Sequence, residues 1–158
     1  MAPGFLRRRL DRGRLSEVVT GAPVLFLDFD GVLHPGSGLS DTRLIHAKTL
    51  AAALHGLSVR LVISSSWRFH LPMEEILQEL PAGLAQRVVG ATGSVHIGRW
   101  ARFHEIKAWL DRHDPLADWR ALDDAVFEFP KPCPQLIACH PQEGFGPRQA
   151  QALARWLV

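Results

Sequence analysis

Two aspartates, Asp28 and Asp30, directly follow a run of apolar residues and are the side chains in this sequence best suited to chemistry. The run, residues 24–27, is typical of a central strand buried on both faces. Ligands of open α/β sheets bind outside the carboxyl ends of the strands, so both carboxylates fall where a catalytic crevice is expected. Two like charges at the end of an apolar strand are costly unless a partner compensates them, and a bound cation is the simplest partner.

Two non-catalytic arrangements compete for the acidic pair, a calcium loop and a solvated polar loop. A calcium loop of the EF-hand kind needs oxygen ligands at alternate positions and an acid at the twelfth, and that position is Leu39. A solvated polar loop also accommodates Asp-x-Asp, but it does not explain the apolar strand before the pair or the Gly-Val-Leu after it. The pattern therefore favours a catalytic or cation-binding pair.

Strands alternating with helices are predicted to position this pair, from the apolar runs and from the Gly, Pro and capping residues between them. The predicted strands cover residues 24–27, 59–63, 88–91, 119–122 and 135–139, and the predicted helices cover residues 41–55, 72–80, 102–112 and 148–157. Ser40 and Asp41 are candidate N-caps of the first helix, which Gly56 can close. This order predicts a Rossmann-like α/β fold, a doubly wound three-layer sandwich with a mostly parallel five-stranded central sheet.

Length and composition are those of an ordinary globular protein. The 158 residues can bury one core, and the hydrophobic content of 47% and charged content of 22% are near average. We expect a basic arm or short helix over residues 1–21 and one catalytic domain over residues 22–158. The net charge of +2 is too small to indicate nucleic acid by itself, and we favour a solvated arm over a polyanion-binding one.

Several classes of site and location are disfavoured. Cys133 and Cys139 lack zinc-site spacing, and the eight histidines show no metal-ligand pattern. His34 is thus expected to be a surface or satisfied core residue, and Trp67 is expected to belong to the core. No apolar stretch approaches the roughly 20 residues of a membrane span, and no signal core follows the N-terminal arginines, so a cytoplasmic location is expected.

The segment DFDGVLH, residues 28–34, resembles the first motif of the haloacid dehalogenase (HAD) superfamily of phosphatases and phosphotransferases. The resemblance implies that Asp28 is the nucleophile and Asp30 the general acid/base. It also implies that the Asp28 side chain and the backbone carbonyl of Asp30 bind Mg²⁺. An Asp at the second position, where some members have Thr, implies phosphate esters as substrates.

Two further segments resemble later motifs of the superfamily and supply a hydroxyl and more acids, which phosphoryl transfer requires. Ser64 and Ser65 end the second predicted strand. Ser64 is the first residue beyond the apolar run, whereas alignment on the Ser-Trp-Arg ending favours Ser65, and a turn or N-cap serine cluster is the alternative. Asp123 and Asp124 end the fourth strand, which implies a metal ligand at Asp123 and a second ligand or orienting group at Asp124, with a capping pair as the alternative.

Arg102 and Lys107 are the two candidates for the cation that the superfamily places before this last motif. Residues 102–110 resemble a helix, Arg/Lys-x-x-Glu-Ile-x-x-Trp-Leu, of a small bacterial HAD branch that also occurs fused in multi-domain RNA-repair proteins. The basic residue opens that helix, which favours Arg102 and leaves Lys107 for the outer face. The resemblance covers roughly residues 23–157.

The resemblance implies an Mg²⁺-dependent phosphatase that acts through an aspartyl-phosphate. About 30 residues separate Leu33 from Ser64 and about 37 separate Ser65 from Arg102, too few for a large cap domain, so an open site is expected. Uncapped members of the superfamily act on large substrates, and a nucleotide, a nucleic-acid end or another large phosphorylated molecule is the expected partner. The alternatives are a phosphotransferase and a non-catalytic phosphate- or Mg²⁺-binding module within an RNA-repair assembly.

Overall fold

The computed structural model describes residues 21–36 and 41–158, in which five strands form one sheet and five α-helices accompany it. The strands are β1 (Val24–Leu27), β2 (Arg60–Ile63), β3 (Val88–Ala91), β4 (Trp119–Asp123) and β5 (Leu136–Ala138). The helices are α1 (Ala47–Ala53), α2 (Met73–Glu79), α3 (Ala82–Ala85), α4 (Ala101–His113) and α5 (Pro147–Leu157). Short 3₁₀ turns, Ser66–Phe69 and Val126–Glu128, follow β2 and β4.

The sheet has the strand order β3-β2-β1-β4-β5, and every neighbouring pair is parallel. The chain moves outward from β1 to β3 and then returns to the other side of β1 to form β4. Connections therefore leave β1 and β4 in opposite directions, which opens a crevice at their carboxyl ends. The predicted doubly wound α/β fold is confirmed.

Alternate residues of β1 face the two sides of the sheet, and this builds the three layers. Leu25 and Leu27 belong to the core that α1, α2, α3 and α5 cover, whereas Val24 and Phe26 belong to the core that α4 covers. The Phe26 ring makes edge-to-face contacts with Trp109 at 5.6 Å and with Trp119 at 5.8 Å. A strand enclosed on both sides is held rigidly, so the residues that follow it have a fixed position.

The first helix is shorter than predicted, and the expectation that Asp41 caps it is wrong. It begins at Ala47 after a series of turns, with His46 at its N-cap, while Ser40 lies outside the described residues. The reason is Leu44, whose φ of +55° is left-handed and cannot continue a helix. Its backbone N–H donates to Nδ1 of His34 at 3.0 Å, a long-range contact that local capping patterns do not reveal.

Among the described residues, the segments that connect strands and helices contain no additional folded domain. The chain was expected to lack a large cap, and the described connections agree with that expectation. The basic arm predicted for residues 1–21 falls almost wholly outside the described residues. Helix α3 and both 3₁₀ turns were not predicted, because segments of three or four residues carry little periodicity. Among the described residues, no helix has the length and apolar character needed to cross a membrane.

Candidate active site

Three aspartates converge at the carboxyl ends of the two central strands. Asp28, Asp123 and Asp124 each offer a carboxylate oxygen, and these atoms all lie within 4.8 Å of one another. Leu27 is opposite Leu122 in the parallel register of β1 and β4, so the residues that follow them are side by side. Asp28 and Asp123 are buried, and Asp124 is half-buried.

Backbone N–H groups fix the orientation of the two buried carboxylates. Phe29 donates its N–H to Asp28 Oδ1 at 2.8 Å, and Ala125 donates its N–H to Asp123 Oδ1 at 2.9 Å. Each donor lies one or two residues after the carboxylate it binds, as in a turn that begins where a strand ends. The acids are therefore held in place before any ligand arrives.

Arg102 places its guanidinium between the two buried carboxylates. Its Nη1 lies 2.9 Å from Asp123 Oδ2 and 3.2 Å from Asp28 Oδ1, and it donates to the Ser64 backbone carbonyl at 2.6 Å. Lys107 is five residues further along α4, about 140° around the helix. Lys107 has no hydrogen bond or ion pair with any described residue, so the structure brings Arg102, and not Lys107, to the acids.

Burial and neighbouring carboxylates raise the pKa of the two buried aspartates, Asp28 and Asp123. Burial raises the pKa of Asp28 well above its ordinary value of 3.8, and the neighbouring Asp123 raises it further, while Arg102 lowers it only in part. Burial also raises the pKa of Asp123, against the lowering effect of Arg102. Burial alone lowers the pKa of Arg102, but the two carboxylates reverse that and raise it. When all three carboxylates of the cluster are ionised, their negative charge exceeds the single positive charge of Arg102.

Asp30 lies beside the cluster and is held by one of its two oxygens. Its side chain is 41% exposed, and Oδ1 faces Nε2 of His34 at 2.7 Å and accepts from Trp67 Nε1 at 3.2 Å. His34 is fully buried, and its Nδ1 accepts the Leu44 N–H, so the ring proton is on Nε2 and is donated to Asp30. Asp30 Oδ2 has no hydrogen-bond partner in the described part of the chain.

The two serines at the end of β2 differ in what their hydroxyls do. Ser65 Oγ accepts the Trp67 N–H at 3.2 Å and caps the 3₁₀ turn, as the N-cap alternative predicted. The hydroxyl of Ser64 is buried and has no partner among the described residues. Buried hydroxyls without a partner are rare in native structures, and a bound ligand would supply the missing partner. This difference favours Ser64 as the phosphate-binding hydroxyl.

A buried ion pair attaches the end of β2 to the start of α4. Arg68 donates to Glu105 Oε1 at 2.8 Å and to the Ser65 carbonyl at 2.9 Å, and both charged side chains are less than a tenth exposed. Because Glu105 is one turn beyond Arg102 on α4, this pair fixes the helix that carries the guanidinium. Arg102 is held further by its own N–H, which donates to Glu128 Oε2 at 3.2 Å.

Four side chains around the site make contacts that were not predicted from the sequence: His34, Trp67, Arg68 and Glu105. His34 and Trp67 are indeed buried, as predicted, but both also contact Asp30. The available signal was proximity to a motif, since His34 is four residues after Asp30 and Trp67 follows the serines. Hydrophobic periodicity carries no information on such contacts, because it indicates which residues are buried and not which polar atoms meet.

The acidic cluster has the donor set of an Mg²⁺ site. Carboxylate oxygens are the ligands that Mg²⁺ prefers, and ligands on opposite sides of this ion are roughly 4.2 Å apart, close to the 4.8 Å that contains the three oxygens. A divalent cation would also offset the excess negative charge. The nearby Cys139 thiol is not a ligand candidate, because burial and the aspartates raise its pKa to about 12.

Comparison with protein families places this architecture among known relatives. Residues 24–150 match the family described as the HAD domain in Swiss Army Knife RNA repair proteins, and the match includes all the site residues described above. No curated protein and no solved structure matches the chain significantly. The match supports phosphoryl-transfer chemistry of the HAD type, and the acidic cluster lies at the carboxyl ends of parallel strands, where open α/β sheets bind ligands. The chain belongs to the HAD-domain family found in Swiss Army Knife RNA repair proteins.

Proposed function

We propose that this chain is an Mg²⁺-dependent phosphomonoester hydrolase whose reaction passes through an aspartyl-phosphate on Asp28. The observation that carries the proposal is the convergence of three strand-end carboxylates and one guanidinium beside an aspartate with a free oxygen. This combination supplies a nucleophile, charge neutralisation and a proton carrier within one crevice.

Asp28 is the proposed nucleophile. One of its carboxylate oxygens attacks phosphorus, and the bond between phosphorus and the ester oxygen breaks as the acyl phosphate forms. Asp28 suits this step because its Oδ1 is fixed by the Phe29 N–H, which orients the carboxylate. Arg102 and the Ser64 or Ser65 hydroxyl are proposed to bind the equatorial phosphoryl oxygens, with Ser64 favoured by its unpartnered hydroxyl.

Asp30 is the proposed general acid and then the general base. His34 and Trp67 donate to Oδ1, so the transferable proton resides on Oδ2, which has no partner among the described residues. That proton goes to the leaving alkoxide as the ester bond breaks. Asp30 next takes a proton from water, whose oxygen attacks phosphorus, releases inorganic phosphate and returns Asp28 to a carboxylate.

The proposed metal ligands are the side chains of Asp28, Asp123 and Asp124 and the backbone carbonyl of Asp30. When bound, Mg²⁺ would neutralise charge on the phosphoryl oxygens as the transition state develops. Lys107, the other candidate for the cation, has no place in the scheme because it has no ion pair with the acids.

Exposure of Asp30 supports hydrolysis over transfer to a second substrate. Its side chain is 41% exposed and no cap covers it in the described residues, so water can reach the acyl phosphate. A non-catalytic binding module would have no use for an aspartate whose one oxygen is oriented and whose other is free. The open crevice suits a large substrate, and the family description favours the phosphorylated end of a nucleic acid.

The test is phosphate release from 3′- and 5′-phosphorylated oligonucleotides, nucleotides, sugar phosphates and phosphopeptides, with Mg²⁺ or with a chelator. We expect Mg²⁺-dependent release, a loss of about 10³-fold or more in Asp28→Asn, and a loss of about 10²-fold or more in Asp30→Asn. Asp111→Asn, an exposed substitution on α4, is the matched control and should retain full activity. Turnover by Asp28→Asn at the wild-type rate would exclude the proposed intermediate.

A further inference from the structure

A second candidate binding region adjoins the acidic cluster. A cleft of about 640 Å³ is lined by Arg99, Trp100, Val126, Phe127, Pro130 and Lys131, among others, a size within the range of ligand pockets. Its walls come from the residues that immediately precede Arg102 and those that follow Asp124. Other clefts in the described part of the chain lie between β5 and α5, beyond the carboxyl end of β5, and beside the amino-terminal ends of β1 and β2.

The cleft combines exposed apolar surface with positive charge. Phe127 is 77% exposed and Val126 is 52% exposed, a high exposure for large apolar side chains. Arg99 and Lys131 are also exposed, and the Arg99 guanidinium lies 4.6 Å from the centre of the Trp100 ring. No acidic side chain lines this cleft, so its charge complements an anion.

Trp100 connects the cleft to the catalytic cation. It is the N-cap of α4 and has a φ of +56°, a left-handed conformation that non-glycine residues rarely adopt. Such conformations concentrate at functional sites, where the surrounding structure enforces them. Arg102 is two residues further along the chain, so the backbone that carries Trp100 leads directly into the residue whose guanidinium contacts Asp28 and Asp123.

We propose that this cleft is a subsite for the nucleotide adjoining the reactive phosphate of a single-stranded nucleic acid. An unpaired base packs against Phe127 and Trp100, and the next backbone phosphate pairs with Arg99 and Lys131. The inference rests on the proposed function, in which the terminal phosphate occupies the acidic cluster. A base that packs against both side chains must be unstacked from its neighbours, as the bases of a single strand can be.

The two cations of the cleft distinguish a strand from a single nucleotide. A nucleoside monophosphate has one phosphate, and the proposed reaction places it at Asp28. Arg99 and Lys131 are additional to Arg102 and form no ion pair with another described residue, so both are available to a second phosphate of the substrate. A strand supplies that phosphate at every linkage.

The experiment compares kcat/KM for phosphorylated hexanucleotides, carrying the phosphate at the 3′ or the 5′ end, with kcat/KM for p-nitrophenyl phosphate. We expect Phe127→Ala to lower the ratio of the two values about tenfold. Lys131→Ala should lower the ratio as well, and should reduce the slope of log affinity against log salt by about 0.7. Leu116→Ala and Lys48→Ala, exposed substitutions outside the cleft, are the matched controls and should leave the ratio unchanged.

Binding separates this inference from the proposed reaction. Fluorescence anisotropy of a labelled hexanucleotide is measured with Asp28→Asn and with Asp28→Asn/Phe127→Ala, neither of which needs to turn over. If the Phe127 substitution weakens binding while wild type releases no phosphate, the subsite stands and the hydrolase proposal is wrong. If binding and selectivity are both insensitive to Phe127, the subsite is wrong.

Two other occupants would give different results. An equal loss of kcat/KM for a phosphopeptide would show that the cleft accepts a polypeptide, which contradicts a nucleotide subsite. Conversion of a dimer to a monomer by Phe127→Ala, with selectivity intact, would assign the cleft to a contact between copies of the chain. Either result would overturn the inference.

Discussion

Among the individual residues of the site, Arg102 is the cation that contacts both buried carboxylates. Its guanidinium contacts two carboxylates and a carbonyl, while its backbone N–H binds Glu128. The charge of Arg102 therefore stabilises the folded acids before substrate arrives and remains available to the phosphoryl oxygens in the proposed reaction. A neutral side chain at this position leaves Asp28 and Asp123 to repel each other in a buried setting.

Replacing Arg102 tests this double role. Arg102→Ala is expected to lower kcat/KM for a phosphate ester by about 10²-fold or more, because a preorganised cation at the reacting group is lost. Lys107→Ala, on the same helix but without an ion pair in the described residues, is the matched control and should stay within about twofold of wild type. Steady-state kinetics measures kcat/KM in both variants. A larger loss in Lys107→Ala than in Arg102→Ala would assign the role of the cation to Lys107.

Asp30 shows how a mobile proton can be assigned to one atom. His34 cannot donate through Nδ1, because that nitrogen accepts the Leu44 N–H, so it must donate through Nε2. With a second donor from Trp67, Oδ1 is occupied and Oδ2 is left for proton transfer. Buried side chains that would otherwise count only as core thus orient the proposed acid/base.

Among the structural elements, the turn after β1 limits what can stand at position 31. Gly31 has a φ of +75°, and a Cβ built there would overlap the Asp124 carboxylate. The backbone of the first motif therefore packs directly against an acid of the last one. Only glycine, which has no Cβ, allows the backbone at position 31 to approach the Asp124 carboxylate this closely.

Substitution of Gly31 should damage the site more than the fold. Gly31→Ala and Gly56→Ala both place alanine at a left-handed φ, +75° and +76°, and each should lose about 1 kcal/mol or more of unfolding free energy. Only the Gly31 variant also displaces Asp124, since nothing lies within 4 Å of a Cβ at position 56. Mg²⁺-dependent phosphate release should therefore fall in Gly31→Ala alone, and an equal fall in both variants would contradict a steric effect on Asp124.

For the molecule as a whole, the acidic cluster sets a conflict between function and stability. The folded state raises the pKa of Asp28, so it holds that proton more tightly than the unfolded chain does. Ionisation of Asp28 therefore costs the folded state more, and the contribution of this group to stability declines as the pH rises above 3.8 through the raised pKa. A cation that binds only the ionised cluster reverses the decline.

This linkage predicts a pH-dependent effect of Mg²⁺ on the melting temperature. Saturating Mg²⁺ should raise Tm by roughly 5–10 °C near neutral pH, from about 2.7 kcal/mol of binding at a hundredfold excess over Kd. The increase should shrink as the pH approaches 3.8, because protons compete for the same oxygens. Thermal unfolding with Mg²⁺ and with a chelator measures this increase in Tm, and the same measurement on Asp28→Asn serves as the comparison. An increase that is the same in wild type and Asp28→Asn would place the metal elsewhere.

The order of elements and the positions of the strand-end acids were determined by the sequence alone. Short apolar runs such as residues 24–27 are typical of buried strands. The parallel topology brings the carboxyl ends of these strands to one edge of the sheet. Asp28 and Asp123 could thus be expected to meet because both directly follow or end such runs. The family resemblance of the motifs, confirmed by the match over residues 24–150, added the phosphoryl-transfer interpretation.

Only the tertiary structure decided which neighbours these acids have. Arg102 and Lys107 are both candidates in the sequence, where the family resemblance favours Arg102, and the packing of α4 against the sheet brings Arg102 to the acids. The unpartnered hydroxyl of Ser64, the contact of Trp67 with Asp30 and the cleft at Phe127 likewise depend on segments that meet across the fold. The physical reason is that local patterns encode which face is buried, whereas the direction of a polar side chain depends on partners distant in sequence.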